Sequence, residues 1–430
     1  MLLRLIPLGA LCALAGFGIL PAPADAVSEP PVLSTGGSIL TLEEALSRTL
    51  RGHPDLTAAV EELRALEADF LQAGRLPNPE LTVSLENVAG DGAYRETDAA
   101  ELTIELSQPI ELGGKRRLRK ESVELGRQLA AHGERLAHAD VLATTRQRFV
   151  AVLAAQEGLA LAGEQAELAE RSLAAAEERI NAGKAPTIDR LRLQGEAGLA
   201  HLAVVQAERA LLTARQALAA CWGESQPGFD RVEGDLAILP TVPALSDVEI
   251  ALEQAPEAVS RRITAELRSK ELQQARARRI PDPSLTLGWR KFEESDENAL
   301  LFGISVPLPV FNQGQDEVAA ASRRLHAAQA RELSAHLQAR SMLRTTWQAL
   351  ADAQAEAETF AVQVVPGAAA GYAAADFGYR AGKFGMIELL DAQRALFEAR
   401  QRQLAARTAC HLAAIELQRL QGTATGADSP

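Results

Sequence analysis

The sequence predicts an α+β fold in which one unit, a short strand hairpin followed by a long helical hairpin, occurs twice in tandem. Three observations predict it: motifs that recur at a fixed separation, short segments with a hydrophobic period of two, and long segments with a heptad period. Arg75-Leu76-Pro77-Asn78-Pro79-Glu80-Leu81 returns as Arg279-Ile280-Pro281-Asp282-Pro283-Ser284-Leu285, a shift of 279 − 75 = 204. Ala182-Gly183-Lys184 returns as Ala381-Gly382-Lys383, and Trp222-Gly223 is answered by Gln421-Gly422, both at a shift of 199. Collinear matches at nearly one spacing mark a duplication.

In chain order, residues 1–26 read as a secretory signal: Arg4 supplies the positive start, an apolar run continues to Leu20, and Ala24-Asp25-Ala26 forms a small-x-small cleavage site. Cys12 follows the bulky Leu11 where lipoprotein signals carry a small residue, so lipidation is not expected. Residues 27–40 read as a linker, 41–223 as the first repeat, 224–244 as a second linker, 245–422 as the second repeat and 423–430 as a disordered tail.

Composition agrees with long helices rather than wide mixed cores, because aromatics are only 4 % and Ala, Leu, Glu, Gln and Arg dominate. A net charge of −13 argues against a nucleic-acid surface. Cleavage of the signal removes Arg4 and Asp25 together and leaves that balance unchanged. No segment after the signal holds 18 unbroken apolar residues, so any membrane crossing must use strands.

Each repeat opens on an amphipathic helix, expected over 42–73 and 247–279, which a Pro-x-Pro pair stops. In the first repeat Leu81, Val83 and Leu85 alternate with polar residues, as do Leu102, Ile104 and Leu106. In the second, Leu285, Leu287 and Trp289 precede a returning strand of Leu300, Phe302, Ile304 and Val306. Gly90-Asp91-Gly92 and Glu293–Asp296 read as the hairpin loops.

A helix expected from Lys115 to Ile180 would run about 100 Å at 1.5 Å per residue. Val152, Leu159, Ala166, Leu173 and Ile180 stand seven apart, with Ala155, Ala162, Ala169 and Ala176 between them. Such a seam predicts coiled-coil packing with close helix approach. After a break at 181–183 the returning helix carries Leu191, Gly198, Val205, Leu212 and Ala219 at the same spacing. The second repeat offers a helix over 316–378, a tip at Gly382, and a return through Leu390, Phe397 and Leu404.

Two strand hairpins alone cannot close a barrel, and lipid tolerates no unpaired strand edge. Taken singly the segments also read as ordinary soluble hairpins packed on helices; in a membrane, strands from several chains would be required, and cyclic symmetry follows.

These motifs together resemble the TolC-type outer-membrane efflux proteins, and within them the heavy-metal, cobalt–zinc–cadmium branch. The resemblance runs from Leu42-Glu43-Glu44-Ala45-Leu46 to Leu420. Its most branch-like stretches are 108–116, 280–288, Tyr379-Arg380-Ala381-Gly382 and Glu388-Leu389-Leu390-Asp391-Ala392-Gln393. The resemblance implies a homotrimer, each chain giving four strands to one outer-membrane β-barrel, continued by a long α-helical coiled-coil periplasmic tunnel. It also implies a periplasmic adaptor (membrane fusion protein), an inner-membrane proton-driven pump of the RND type and contact with outer-membrane lipid.

Candidate functional residues cluster at the helix tips. Glu388 and Asp391 share a helix face with Glu398 and Arg402, opposite the Leu390, Phe397 and Leu404 seam. From spacing alone this is a solvated face. By resemblance Glu388 and Asp391 match acidic rings that narrow the periplasmic entrance, and a ring of three carboxylates favours cations. Asp189 is the equivalent position in the first repeat, since 189 + 199 = 388. By resemblance Tyr379 is a gate tyrosine bonding to the neighbouring hairpin, with Asp189 its candidate partner. The family often places a basic residue where this chain has Phe384, so a salt-bridged latch is not expected. Gly183, Lys184, Gly382 and Lys383 form the tips that the resemblance assigns to adaptor contact.

Lys115, Arg116, Arg117, Arg119 and Lys120 have two readings, contact with anionic headgroups or a solvated helix start. Cys221 and Cys410 read as two reduced thiols, with a disulfide as the alternative. Seven scattered histidines lack ligand spacing, so no metal site or cofactor is expected. Gly113-Gly114-Lys115 lacks phosphate-loop spacing and reads as a bend, and no nucleophile and base stand together. The expected function is a passive duct for metal cations rather than an enzyme. A drug or polypeptide duct and a periplasmic coiled-coil scaffold are the alternatives.

Overall fold

A computed structural model describes residues 39–422; the expected signal and tail lie outside them. A two-residue strand β1 (Ile39–Leu40) leads into α1 (Leu42–Gly52), whose start is capped by Thr41: its hydroxyl accepts from the Glu44 amide at 3.3 Å. The single helix expected over 42–73 is instead two. Pro54 cannot donate to α1, so the chain turns at His53 and restarts as α2 (Pro54–Ala73) with proline in the first turn. The second repeat does the same at Pro256, between α5 (Leu245–Glu253) and α6 (Pro256–Arg278).

Beyond the Pro-x-Pro stop of the first repeat come β2 (Glu80–Glu86) and β3 (Glu101–Pro109), then α3 (Lys115–Asn181), α4 (Thr187–Ala219) and the short β4 (Arg231–Val232). The second repeat supplies β5 (Ser284–Phe292), β6 (Glu297–Ser305), α7 (Gln315–Thr359), α8 (Val365–Arg380) and α9 (Met386–Gln421). The helix expected over 316–378 is interrupted by a wide turn at Phe360–Val364, just before Pro366, where the proline ring cannot accept an ordinary helical neighbour.

Strands β2, β3, β5 and β6 form one antiparallel sheet in that order. Its register sets Leu81, Leu106, Leu287 and Phe302 in one cross-strand row and Val83, Ile104, Trp289 and Leu300 in the next. These apolar rows share one face, and it is bare: Leu300 is 87 % exposed. The opposite face is polar, with Arg290 donating to Thr103 and Glu101 at 2.9 Å each. No helix among the described residues is long and apolar enough to cross a membrane.

The segment expected as the linker 224–244 is structural. It carries β4, which pairs with β1, and it inserts Phe229, Val232 and Leu236 into a core with Phe149, Val152, Leu218 and Trp222. A second core joins Val248, Leu252, Leu343, Leu350 and Leu417. Cys221 lies in the first and Cys410 in the second, both as buried free thiols.

Helix α3 buries Val152, Ala162, Ala166, Ala169 and Ala176, as the heptad implies. Helix α4 does not follow its expected seam: Leu191, Val205 and Leu212 are exposed, and Leu193, Ala197 and Ala200 meet α3 instead. Helix α4 has apolar residues on more than one face, and the small ones allow the closer approach.

The basic run at 115–120 is engaged rather than free. Lys115 Nζ donates to Asp282 Oδ2 at 2.7 Å and to the Ile280 carbonyl at 2.6 Å, reaching from the first repeat to the second. Asp282 Oδ1 accepts from the Leu112 amide at 2.8 Å. Arg119 forks onto Glu111 at 2.6 and 3.1 Å, Arg116 donates to the Gly74 carbonyl, and Lys120 sits 5.4 Å from the Phe70 ring centre. Asp282→Ala should therefore lower stability by about 1.5–3 kcal/mol, the scale of charge-assisted hydrogen bonds. Asp282→Asn, which keeps the acceptor for Leu112, should recover part of that loss in thermal unfolding followed by circular dichroism.

Candidate functional site

The two helix tips end in the same way. Gly183 and Gly382 adopt φ of 69° and 74°, the left-handed conformation that lets a helix close on itself. Lys184 N donates to Arg179 O, and Lys383 N to Gly378 O, both at 2.8 Å. Gly183 N donates to Ile180 O at 2.9 Å and Gly382 N to Tyr379 O at 3.0 Å. Both tips are Schellman caps, so each lysine is exposed because the cap uses its backbone and leaves its side chain to solvent.

Behind the caps the hairpins pack on each other through Ala176, Leu193, Ala375, Tyr379, Met386, Leu389 and Leu390. Tyr379 is only 2 % exposed. Arg179 lies 4.4 Å from its ring centre and also donates to its backbone carbonyl. The Tyr379 hydroxyl has no hydrogen-bond partner among the described residues. Burial pushes the phenol pKa up; Arg179 opposes this and the Asp189 carboxylate adds to it. The expected pair thus lies close enough to interact through charge, but no hydrogen bond joins Tyr379 to Asp189 here.

Asp189 and Glu388 both occupy the third position of their helices, α4 and α9, where a carboxylate faces the positive helix end. From there they diverge. Asp189 is buried against the tip cluster, whereas Glu388 is exposed and folds back over Gly385, whose added Cβ would lie 2.8 Å from Glu388 Oε2. Asp391 is exposed on the same side, and Glu398 pairs with Arg402 at 2.6 Å. Leu390 and Phe397 are buried, as the seam implies.

Two residues were not foreseen. Arg179 and Gly378 are equivalent by the 199-residue shift, and they split one job. Arg179 covers Tyr379, while Gly378 leaves room for the Phe384 ring, whose Cδ2 would stand 2.1 Å from any Cβ there. A glycine answering a long side chain was the available signal. Phe384 is therefore a packing residue seated on the last turn of α8.

Ion pairs set the register of α9 against the first repeat: Arg419 with Asp140 at 2.9 Å, Arg400 with Glu164 at 2.6 Å, and Arg394 with Glu196. Such half-exposed pairs are worth about 0–1 kcal/mol each and choose alignment more than they stabilise. No cluster of three or more His, Cys, Asp or Glu among the described residues has the arrangement to hold a metal ion.

A family model described as outer membrane efflux protein matches residues 45–224 and 248–423, one match in each repeat. The cobalt-zinc-cadmium resistance protein CzcC of Cupriavidus metallidurans is 35 % identical over 383 residues, covering 89 % of this chain and 90 % of that protein. The nickel and cobalt resistance protein CnrC of the same organism is 29 % identical, covering 72 % of this chain and 73 % of its own. Among solved structures, the outer-membrane channel OprN shares the fold with a TM-score of 0.77 at 19 % identity, covering 89 % of each chain. With the family model matched across both repeats and a relative so similar along nearly its whole length, this chain belongs to the outer membrane efflux protein family.

Proposed function

We propose that this protein is the outer-membrane channel of a tripartite RND-type system that exports heavy-metal cations, a passive duct gated at its periplasmic helix tips. The observation that carries the channel reading is the bare apolar face of the four-stranded sheet, together with the unpaired outer edges of β2 and β6. In water such a face and such edges are costly. In a bilayer, with three chains each adding four strands, the edges pair and the apolar rows meet lipid. The polar face, with Arg290, Glu101, Glu105 and Thr82, then lines the lumen.

The metal cargo rests on the 35 % identical relative, whose name specifies cobalt, zinc and cadmium resistance. A duct needs no binding site for its cargo, and selectivity falls to its narrowest ring. Glu388 and Asp391, exposed at the start of α9, would each become a ring of three carboxylates in a trimer. Tyr379 and Asp189 hold the two hairpins together behind that ring, and opening the tip must unseat Tyr379. The caps at Gly183, Lys184, Gly382 and Lys383 offer exposed ends to a periplasmic adaptor, which would link the channel to a proton-driven inner-membrane pump. Export of drugs or polypeptides is the competing cargo.

Three outcomes follow. Phe302→Arg, on the apolar face, should destabilise the assembled barrel by about 2–4 kcal/mol. Thr82→Arg, on the polar face opposite Glu105, should assemble normally; seminative electrophoresis of outer-membrane fractions distinguishes the two. In planar bilayers, replacing Glu388 and Asp391 with Ala should lower cation selectivity and relieve block by multivalent cations; unchanged values would refute the ring. Deleting the gene should reduce growth on zinc, cobalt or cadmium, whereas unaltered metal tolerance with new drug sensitivity would assign the other cargo.

A further inference from the structure

A cavity of about 490 Å³ lies between the two repeats, away from both the helix tips and the sheet. Its wall is mostly apolar, with Phe149 and Leu153 from α3, Leu236 from the segment after β4, Leu350 from α7 and Ile415 from α9. Arg146 of α3 also lines it and is only 3 % exposed.

Among the described residues no carboxylate pairs with that guanidinium. Nη1 donates to Gln418 Oε1 at 3.3 Å, and Nε is buried with no acceptor. None of the described residues lining the cavity is Asp or Glu. Asp140 and Glu416, on the same two helices, are held by Arg419. The other titratable group in the wall, His411, meets the Leu236 carbonyl at 3.3 Å; an imidazole is neutral or cationic and so brings no counter-charge to Arg146. Arginine stays protonated even where burial disfavours its charge. A buried cation without an opposite charge destabilises a fold, and a methionine would fill the same space at less cost. The arrangement makes sense when an anion completes it. Arginine's fork suits a carboxylate, and the apolar wall suits a hydrocarbon body.

We propose that this cavity binds an amphipathic anion of the alkyl-carboxylate class, its head paired with Arg146 and its chain lying along Phe149, Leu153 and Leu350. Such a ligand touches α3 of the first repeat and α7 and α9 of the second, and so ties the two repeats together.

The test uses the full-length protein in a nonionic detergent, with decanoate as the probe and decanol and acetate as controls, followed by equilibrium dialysis and thermal unfolding. Decanoate should bind saturably and raise the melting temperature, while decanol and acetate should bind at least tenfold more weakly. Arg146→Met should lose at least tenfold in decanoate affinity, with Arg146→Lys losing less, and ligand-free Arg146→Met should melt no lower than the parent protein. Leu350→Trp, which keeps the charge and fills the cavity, should also lose decanoate. Nonsaturable partitioning of decanoate, or equal affinity in Arg146→Met, would overturn the site. So would a ligand-free Arg146→Met that melts well below the parent, which would make Arg146 a structural residue.

Discussion

The backbone pairing of β3 with β5 is where two copies of one unit become one structure. Each strand hairpin alone is marginal, because two strands leave both faces and both edges unsupported. Nine paired positions between β3 and β5, from Glu101 opposite Phe292 to Pro109 opposite Ser284, join hairpins that are nearly two hundred residues apart in the chain. Once those strands are neighbours, the bends that follow them are neighbours too. Lys115 then reaches Asp282, and α6 packs between α3 and α7. The sheet in turn presents a polar and an apolar face, because a period of two allows nothing else once the register is set.

Away from the sheet, small residues control the packing. Helices α3 and α4 approach through alanines, and close approach favours many weak dispersion contacts over a few large ones. Ion pairs from Arg394, Arg400 and Arg419 then select one alignment of α9 among several that alanine stripes would tolerate. The segment between the repeats contributes what the helices lack. Phe229 and Leu236 fill the space where helices diverge, and β1 and β4 close over it.

The tips show how the two copies of a duplicated unit diverge. Their Schellman caps are the same atom for atom, so the backbone of the ancestral hairpin persists. The side chains around the caps no longer match. Arg179 stands where Gly378 stands in the second copy, and a buried Asp189 corresponds to an exposed Glu388. One hairpin supplies a cation and a buried acid, and the other supplies the tyrosine that fits between them. The buried Tyr379 hydroxyl, without a hydrogen-bond partner among the described residues, is a standing cost at this contact.

The duplication, the strand faces, the length of α3 and the position of both tips are legible in the residues alone. Each rests on a local signal: a repeated motif, a period of two, a heptad or a glycine after a helix. The breaks at Pro54 and Pro256 were equally local, and amphipathic periodicity that runs on through a proline concealed them. Which face of α4 is buried depends on the folded packing, because apolar residues lie on several sides of it and the partner helix selects among them. The folded packing alone assigned Lys115 to Asp282, Arg179 to Tyr379, and Arg146 to a cavity whose described lining holds no acid. Such contacts join residues from different repeats, and a pattern read over a few helical turns carries no information about what lies a hundred or more residues away.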